Sequence, residues 1–222
     1  MNINARLQGM VEILTESNRR MDPRSNTGTY ATGFLPLHPL SLRELALSTP
    51  ALASEGCISL DLMCGNGGWA LMSAVLGYPS YGIDINPILV REAQRNHDEA
   101  ITCGYIDSDT PCRFIAGNVF AADDYETFIE RATRESYSDR HGPRTSTADP
   151  YEKLGVEVSD AGIIYCFCWS GGLGFLCEFL DRKAVEDAFF ILPNFDPRNQ
   201  ALALEAASAI PGPYQIMKRK RP

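Results

Sequence analysis

Short apolar runs alternate with segments of helical periodicity along most of the chain. The apolar runs predict six strands, at residues 57–63, 80–85, 113–116, 162–167, 188–192 and 214–217. Helices are predicted between them, starting at residues 69 and 87 and covering 123–134, 173–180 and 201–209. This alternation is typical of βαβ units, so it predicts an α/β fold with a mostly parallel central sheet flanked by helices.

Two segments do not follow this rhythm. Residues 1–56 contain a predicted helix and then a loop rich in Gly, Thr, Pro and aromatic residues, so we interpret them as an N-terminal helix and lid before a domain at 57–222. Residues 135–150 are polar and indicate an insertion in a helix-to-strand connection. Such connections lie at the amino ends of parallel strands, whereas ligands bind at the carboxyl ends, so we expect this insertion to lie far from any ligand site.

Composition narrows the class of protein. The chain has 222 residues, of which 45% are hydrophobic, but no apolar run approaches the roughly 20 residues that span a bilayer. Its N-terminus has no apolar signal core, so we expect a cytoplasmic protein. The net charge is −8 and the dense basic run is confined to residues 218–221, which disfavours nucleic acid as a partner. The seven cysteines and three histidines show no metal-ligand spacing, so no metal site is expected.

A glycine turn follows the first predicted strand. Gly65 and Gly67 let backbone N–H groups approach a ligand closely, and with Ala70 they also fit the dinucleotide fingerprint of a dehydrogenase. Asp61, near the end of the same strand, would repel a pyrophosphate and suits a ligand's ammonium group instead. Asp84 ends the second strand, where a carboxylate accepts both hydroxyls of a ribose.

These residues carry a family resemblance. Residues 60–68 resemble the first motif of class I S-adenosylmethionine methyltransferases, and Asp84 resembles the acid at the end of their second strand. Residues 117–120 resemble the segment that contacts the adenine, with Asn118 in place of the more usual Asp. Met63 departs from the pattern because the first glycine of the motif is usual there.

The resemblance implies a Rossmann-like methyltransferase fold, S-adenosylmethionine as the cofactor, and methyl transfer as the reaction. The positions implied to bind the cofactor are Asp61, Cys64, Gly65, Asn66, Gly67, Asp84, Ile85, Asn118, Val119 and Phe167.

The methyl acceptor is less sharply indicated. Residues 165–172 match neither the Asn/Asp-Pro-Pro-Tyr motif of amino-group DNA methylases nor the Pro-Cys motif of cytosine C5 enzymes. Phe34 and Trp169 are candidate walls of a substrate pocket, and Tyr30 and His38 are candidate catalytic residues. We therefore predict a small-molecule acceptor. A protein acceptor, a non-catalytic cofactor-binding protein and, more distantly, an NAD(P)-dependent dehydrogenase stay open as alternatives.

Overall fold

The computed structural model describes residues 1–21, 37–49, 56–120, 149–167, 173–184, 187–192, 204–208 and 216–219, and all structural statements below concern these residues. The helices are α1 (Ile3–Met21), α2 (Pro39–Ser48), α3 (Gly68–Val75), α4 (Pro87–Thr102), α5 (Pro150–Leu154) and α6 (Leu173–Lys183), with a 3₁₀ turn at Val158–Asp160. The strands are β1 (Ile58–Leu62), β2 (Ser80–Asp84), β3 (Cys112–Ala116), β4 (Ala161–Cys166), β5 (Phe189–Ile191), β6 (Leu204–Ser208) and β7 (Ile216–Arg219).

The seven strands form one sheet in the order β3-β2-β1-β4-β5-β7-β6. Strands β1 to β5 are parallel, whereas β7 runs antiparallel to both β5 and β6. The predicted α/β fold with a mostly parallel sheet is therefore confirmed. The chain order reverses between β1 and β4, and in an open parallel sheet the ligand crevice lies at the carboxyl ends of the strands beside such a reversal.

The predicted helix at 201–209 is wrong, because residues 204–208 form strand β6. Its alanines favour a helix locally, but β6 instead pairs antiparallel with β7, with Leu204 opposite Arg219 and Ala206 opposite Met217. The intervening residues include Pro211, Gly212 and Pro213, a turn-forming group. Pairing with the next strand along the chain outweighs the helix propensity of the alanines, because the helix propensities of ordinary amino acids differ by less than about 1 kcal/mol per residue.

Helices cover both faces of the sheet, so side chains that point alternately to either face of a strand are buried on both sides. Leu60 and Leu62 of β1 pack on the face covered by α5 and α6, whereas Asp61 points to the opposite face and bonds to α3. On that second face α1, α2 and α3 share one core with the sheet. The N-terminal helix therefore packs directly on the domain predicted at 57–222. No helix among the described residues is long and apolar enough to cross a membrane.

Only Asp149 and Pro150, the last two residues of the predicted insertion, are described. They lead into α5, the helix before β4, which starts at Pro150. A Cβ atom built on Gly117, just beyond β3, would lie 2.7 Å from Pro150 Cβ. Pro150 therefore lies at the carboxyl edge of the sheet, whereas the placing of residues 135–148 away from the ligand stays a prediction. Residues 121–148, which include the predicted helix at 123–134, lie outside the described residues.

A buried tyrosine fastens α5 to this edge. The Tyr151 hydroxyl donates a 2.6 Å hydrogen bond to the Val119 carbonyl, and its ring lies against Phe179 of α6. Asp149 caps α5 by accepting from the Tyr151 amide at 2.8 Å. The segment after β3 and the start of α5 are thus held together by backbone and side-chain bonds.

We predict that Tyr151→Phe destabilises the protein by about 1–1.5 kcal/mol, because the buried Val119 carbonyl loses its hydroxyl donor. Urea unfolding followed by circular dichroism measures the change. Lys153→Gln, at an exposed position of the same helix, is the matched control and should change the free energy of unfolding by less than about 0.5 kcal/mol. Equal stability of Tyr151→Phe and wild type would contradict the assigned role of this hydroxyl.

Candidate cofactor-binding site

The glycine turn lies between β1 and α3, at the carboxyl edge beside the point where the strand order reverses. The Gly67 amide donates to the Cys64 carbonyl at 2.8 Å, which closes the turn. Gly65 and Gly67 have φ values of 56° and 84°, in the left-handed region that favours glycine. Gly67 also precedes the first residue of α3, so the turn leads directly into the positive end of a helix dipole.

Asp61 caps the N-terminus of α3. Its Oδ2 accepts a 3.0 Å hydrogen bond from the Ala70 amide, in the first turn of that helix. The side chain is buried, and Oδ1 has no hydrogen-bond partner among the described residues. Burial raises the pKa of the Asp61 carboxyl well above its ordinary value, against the opposing effect of the Ala70 amide. A buried acceptor without a donor costs about 1–3 kcal/mol, so this oxygen favours a donor or cation brought by a ligand.

Asp84 holds the turn from the other side. Its two carboxylate oxygens accept from the amides of Gly65 and Asn86, each at 2.8 Å. Each oxygen has a second lone-pair direction, so both have the capacity to accept from ribose hydroxyls as well. Burial also raises the pKa of Asp84, and the negative charge of Asp84 contributes to the raised pKa of Asp61.

The two acids make this edge selective for charge. The charged forms of two buried carboxyl groups are stabilised by a nearby cation and destabilised by a nearby anion. S-adenosylmethionine carries an ammonium group and a sulfonium, whereas a dinucleotide would bring a pyrophosphate. The residues of the turn therefore fit the sulfonium cofactor, and the orphaned Oδ1 of Asp61 is the observation that carries this fit.

Met63 occupies a backbone conformation that normally calls for glycine. Its φ is 63°, and among the described non-glycine residues it alone has a positive φ. A left-handed conformation costs an L-residue about 1–2 kcal/mol. The Met63 side chain packs against the core cluster on the α6 face of the sheet, which offsets part of this strain. Met63 therefore takes the place of the usual glycine while the hydrogen bond between Gly67 and Cys64 still closes the turn.

The remaining predicted cofactor positions lie at the same edge. Asn118 follows β3, and its Oδ1 accepts from the Phe120 amide at 3.1 Å, which shapes the segment next to β2. Ile85 follows β2 and is 43% exposed, the most open of the predicted apolar contacts. Phe167 follows β4 and is half-buried. Parallel pairing of β1 with β2 and β4, and of β2 with β3, brings these strand ends side by side.

Two predicted cofactor residues direct their side chains elsewhere. The Asn66 amide donates to Ser17 Oγ and Asn18 Oδ1 of α1, both at 2.9 Å. The Cys64 side chain is buried against Gly82, where a Cβ atom would lie 2.9 Å from Cys64 Sγ, and burial raises the pKa of this thiol. The side chains of Asn66 and Cys64 therefore make their contacts inside the protein rather than at the ligand edge.

The predicted acceptor side is described only in part. Tyr30, Phe34 and Trp169 lie outside the described residues. His38 is exposed and immediately precedes α2, without a side-chain bond to the helix amides. A Cβ atom on Gly68, the first residue of α3, would lie 2.8 Å from Leu42 Cδ1, so the first half of α2 lies close to the glycine turn.

Sequence reasoning missed three polar residues that support this edge: Ser17, Asn96 and Tyr151. A signal for two of them exists in the sequence. Asn96 occupies the same helical stripe as the buried Ala93 and Ala100 of α4, and Ser17 occupies the buried stripe of α1. A polar residue on an otherwise apolar helix face indicates a buried hydrogen-bond network.

Strand order and turn together define the Rossmann-like fold of S-adenosylmethionine-dependent methyltransferases, and solved structures share it. An RNA methyltransferase from Salinibacter ruber, in complex with S-adenosyl-L-homocysteine, superposes with a TM-score of 0.55 at 18% identity, over 83% of this chain and 93% of that one. The ribosomal protein L11 methylase from Lactobacillus delbrueckii subsp. bulgaricus gives a TM-score of 0.52 at 16% identity, over 82% and 80% of the two chains. No protein-family model and no curated protein sequence matches the chain.

We predict that Asp61→Asn stabilises the ligand-free protein at pH 8. Because burial raises the pKa of Asp61 in the folded state, the folded protein holds this proton more tightly than the unfolded chain. The contribution of Asp61 to stability therefore falls as pH rises from its ordinary pKa through its raised one, by about 1.4 kcal/mol for each unit of pKa shift. The Asn side chain keeps the acceptor for Ala70 without the charge.

Thermal melts of both proteins from pH 4 to pH 8 test this prediction. The stability advantage of Asp61→Asn should grow as pH rises. Asp107→Asn is the control, because Asp107 is exposed and its pKa is lowered by Arg6 rather than raised. An advantage that is constant across the pH range would mean that Asp61 keeps an ordinary pKa in the folded protein.

Proposed function

We propose that this protein is an enzyme that transfers a methyl group from S-adenosylmethionine to an acceptor. The observation that carries the proposal is the pair of buried carboxyl groups, Asp61 and Asp84, that hold a glycine turn at the carboxyl edge of the sheet. The fold shared with known methyltransferases supports it. When bound, the cofactor supplies a methyl group already activated by its sulfonium.

Each part of the site has a task in this proposal. Asp84 accepts from the ribose hydroxyls, while its bonds to Gly65 and Asn86 keep the carboxylate from turning away. Asp61 presents its Oδ1 to the ammonium end of the ligand, directly or through one ordered water. Ile85 and Val119 flank the adenine, and the Asn118 side chain lies at its edge.

The reaction itself asks little of acid–base groups. Methyl transfer is an in-line attack, and holding the reactants at the correct distance and orientation supplies about 7–11 kcal/mol of barrier reduction. A base is needed only when the acceptor arrives protonated. His38 and Tyr30 are our candidates for that role, since His38 is exposed beside a helix that packs near the turn.

Calorimetry on the purified chain tests the cofactor assignment. S-adenosylhomocysteine should bind in the micromolar range, as is usual for enzyme ligands, and NADH should give no heat. The contrast follows from charge, because the buried acids at the turn disfavour a pyrophosphate. Binding of NADH in place of S-adenosylhomocysteine would favour the dehydrogenase alternative and overturn the proposal.

We predict that Asp84→Ala raises the Kd for S-adenosylhomocysteine at least tenfold, which corresponds to about 1.4 kcal/mol. The substitution removes the acceptor for the ribose and also frees the Gly65 and Asn86 amides. Circular dichroism confirms that the variant is folded before the titration. Asp107→Asn, an exposed acid near the end of α4, is the control and should leave the Kd within twofold. An unchanged Kd in folded Asp84→Ala excludes the ribose role.

We further propose that the acceptor is a small molecule. The chain has a net charge of −8, and its dense basic run is confined to residues 218–221, so it offers little to attract a polyanion. Half-buried Phe167, at the end of β4, suits an apolar wall beside the transferred methyl group. Phe34 and Trp169 are the other proposed walls of this pocket. A protein acceptor is the main alternative, because an acidic enzyme can dock a basic segment.

Transfer of radiolabel from the cofactor separates these acceptors. The protein is incubated with labelled S-adenosylmethionine and a cell extract, which is then divided into small-molecule, protein and nucleic-acid fractions. We predict label in the small-molecule fraction. Label that appears only in protein or nucleic acid overturns this part of the proposal, and no transfer to any fraction, with binding intact, supports a non-catalytic cofactor-binding protein.

A further inference from the structure

A buried polar cluster joins the N-terminal helix to the glycine turn. Its central members are Ser17 of α1, Asn66 of the turn and Asn96 of α4, which are 0%, 5% and 0% exposed. Glu92 of α4 and Arg20 of α1 complete it on the side nearer to solvent. These five residues come from three separate stretches of the chain, so the cluster exists only in the folded protein.

Asn96 is the member that touches the turn backbone. Its amide nitrogen donates to the Asn66 carbonyl at 3.1 Å and to Ser17 Oγ at 3.0 Å. The Asn66 side chain donates to the same Ser17 oxygen at 2.9 Å, and the Ser17 hydroxyl donates onward to Glu92 at 3.0 Å. Ser17 thus accepts two hydrogen bonds and donates one, which uses its full capacity.

Arg20 fixes the orientation of the Asn96 amide. Its guanidinium donates to Glu92 Oε1 through Nε and Nη2, at 2.9 and 2.7 Å, and Nη2 also donates to Asn96 Oδ1 at 3.2 Å. Rotating the Asn96 amide by half a turn would bring its NH₂ group against the guanidinium and its oxygen against the Asn66 carbonyl. The donor side of Asn96 is therefore held toward the turn.

We infer that Asn96 is a positioning residue that holds the cofactor turn ready for its ligand, an inference that rests on the proposed function. The Asn66 carbonyl belongs to the peptide between Asn66 and Gly67, and the Gly67 amide closes the turn onto Cys64. A donor on that carbonyl fixes the plane of this peptide. Gly65 is fixed in turn by Asp84, so the turn is held on both sides before any ligand arrives.

The free-energy cost of burying this polar cluster supports a role beyond stability. Asn96 and Ser17 occupy apolar stripes of α4 and α1, where an aliphatic side chain would pack without any need for partners. A buried polar network is unfavourable unless all of its members are satisfied, and it defines one arrangement of the groups that it joins. Here the group so defined is the backbone of the turn.

The test compares variants of Asn96, which contacts the turn, with a control variant of α1 that lies away from the turn. Asn96→Asp keeps the shape and the acceptor for Arg20, but it places an oxygen against the Asn66 carbonyl. Asn96→Ala removes the donor without adding charge and serves if the aspartate variant does not fold. Arg6→Ala is the matched control, because it breaks the 2.7 Å ion pair of α1 with Asp107, beyond the far end of α4.

We expect both Asn96 variants to raise the Kd for S-adenosylhomocysteine at least tenfold, and hydrogen exchange of the amides at 65–68 should quicken. Arg6→Ala should lower the melting temperature and leave the Kd and this exchange unchanged. If Arg6→Ala weakens binding as much as Asn96→Ala does, the effect is one of general stability and the inference is wrong. If the wild type does not bind S-adenosylhomocysteine, the proposed function fails, and exchange at the turn still decides the role of Asn96.

Discussion

Two buried carboxylates hold the glycine turn in place, and the arrangement of the ligand edge depends on them. Asp61 bonds to the first turn of α3, and Asp84 bonds to the Gly65 amide inside the turn. Parallel pairing of β1 with β2 sets Leu62 opposite Ile83, which brings Asp84 beside the start of the turn. Removing two acids from water is unfavourable, and hydrogen bonds from the backbone amides offset only part of this free-energy cost. A cationic ligand would stabilise the charged carboxylates further.

The strained backbone at Met63 depends on the contacts around the turn. Met63 holds a left-handed φ of 63° directly before the turn, a conformation that persists only when its surroundings determine it. The surroundings do so from both faces of the sheet. The α6 face packs on the Met63 side chain, while Asn96 and Ser17 secure Asn66 from the α1 face. A rigid turn limits the ordering that ligand binding would otherwise require.

The N-terminal helix takes part in the site rather than only preceding it. Residues of α1 share a core with α2, α3 and the sheet, and the last turns of α1 reach both the glycine turn and α4. The start of α5 reaches the same edge from the opposite side, where Tyr151 bonds to Val119. Both α1 and the start of α5 therefore lie against this edge, through contacts that join segments far apart in the sequence.

Local chemistry was enough to predict β1 to β5, the glycine turn and the two acids. Strand periodicity and the glycine spacing each depend on neighbouring residues, and such signals survive in a sequence read alone. Tertiary structure decided the rest. Strand β6 forms because β7 is available to pair with it, Tyr151 ties the start of α5 to Val119, and the Asn96 side chain meets a carbonyl 30 residues away in the chain. These outcomes depend on which segments meet in the folded chain, and that is determined by the packing and pairing energies of the whole fold rather than by any local pattern.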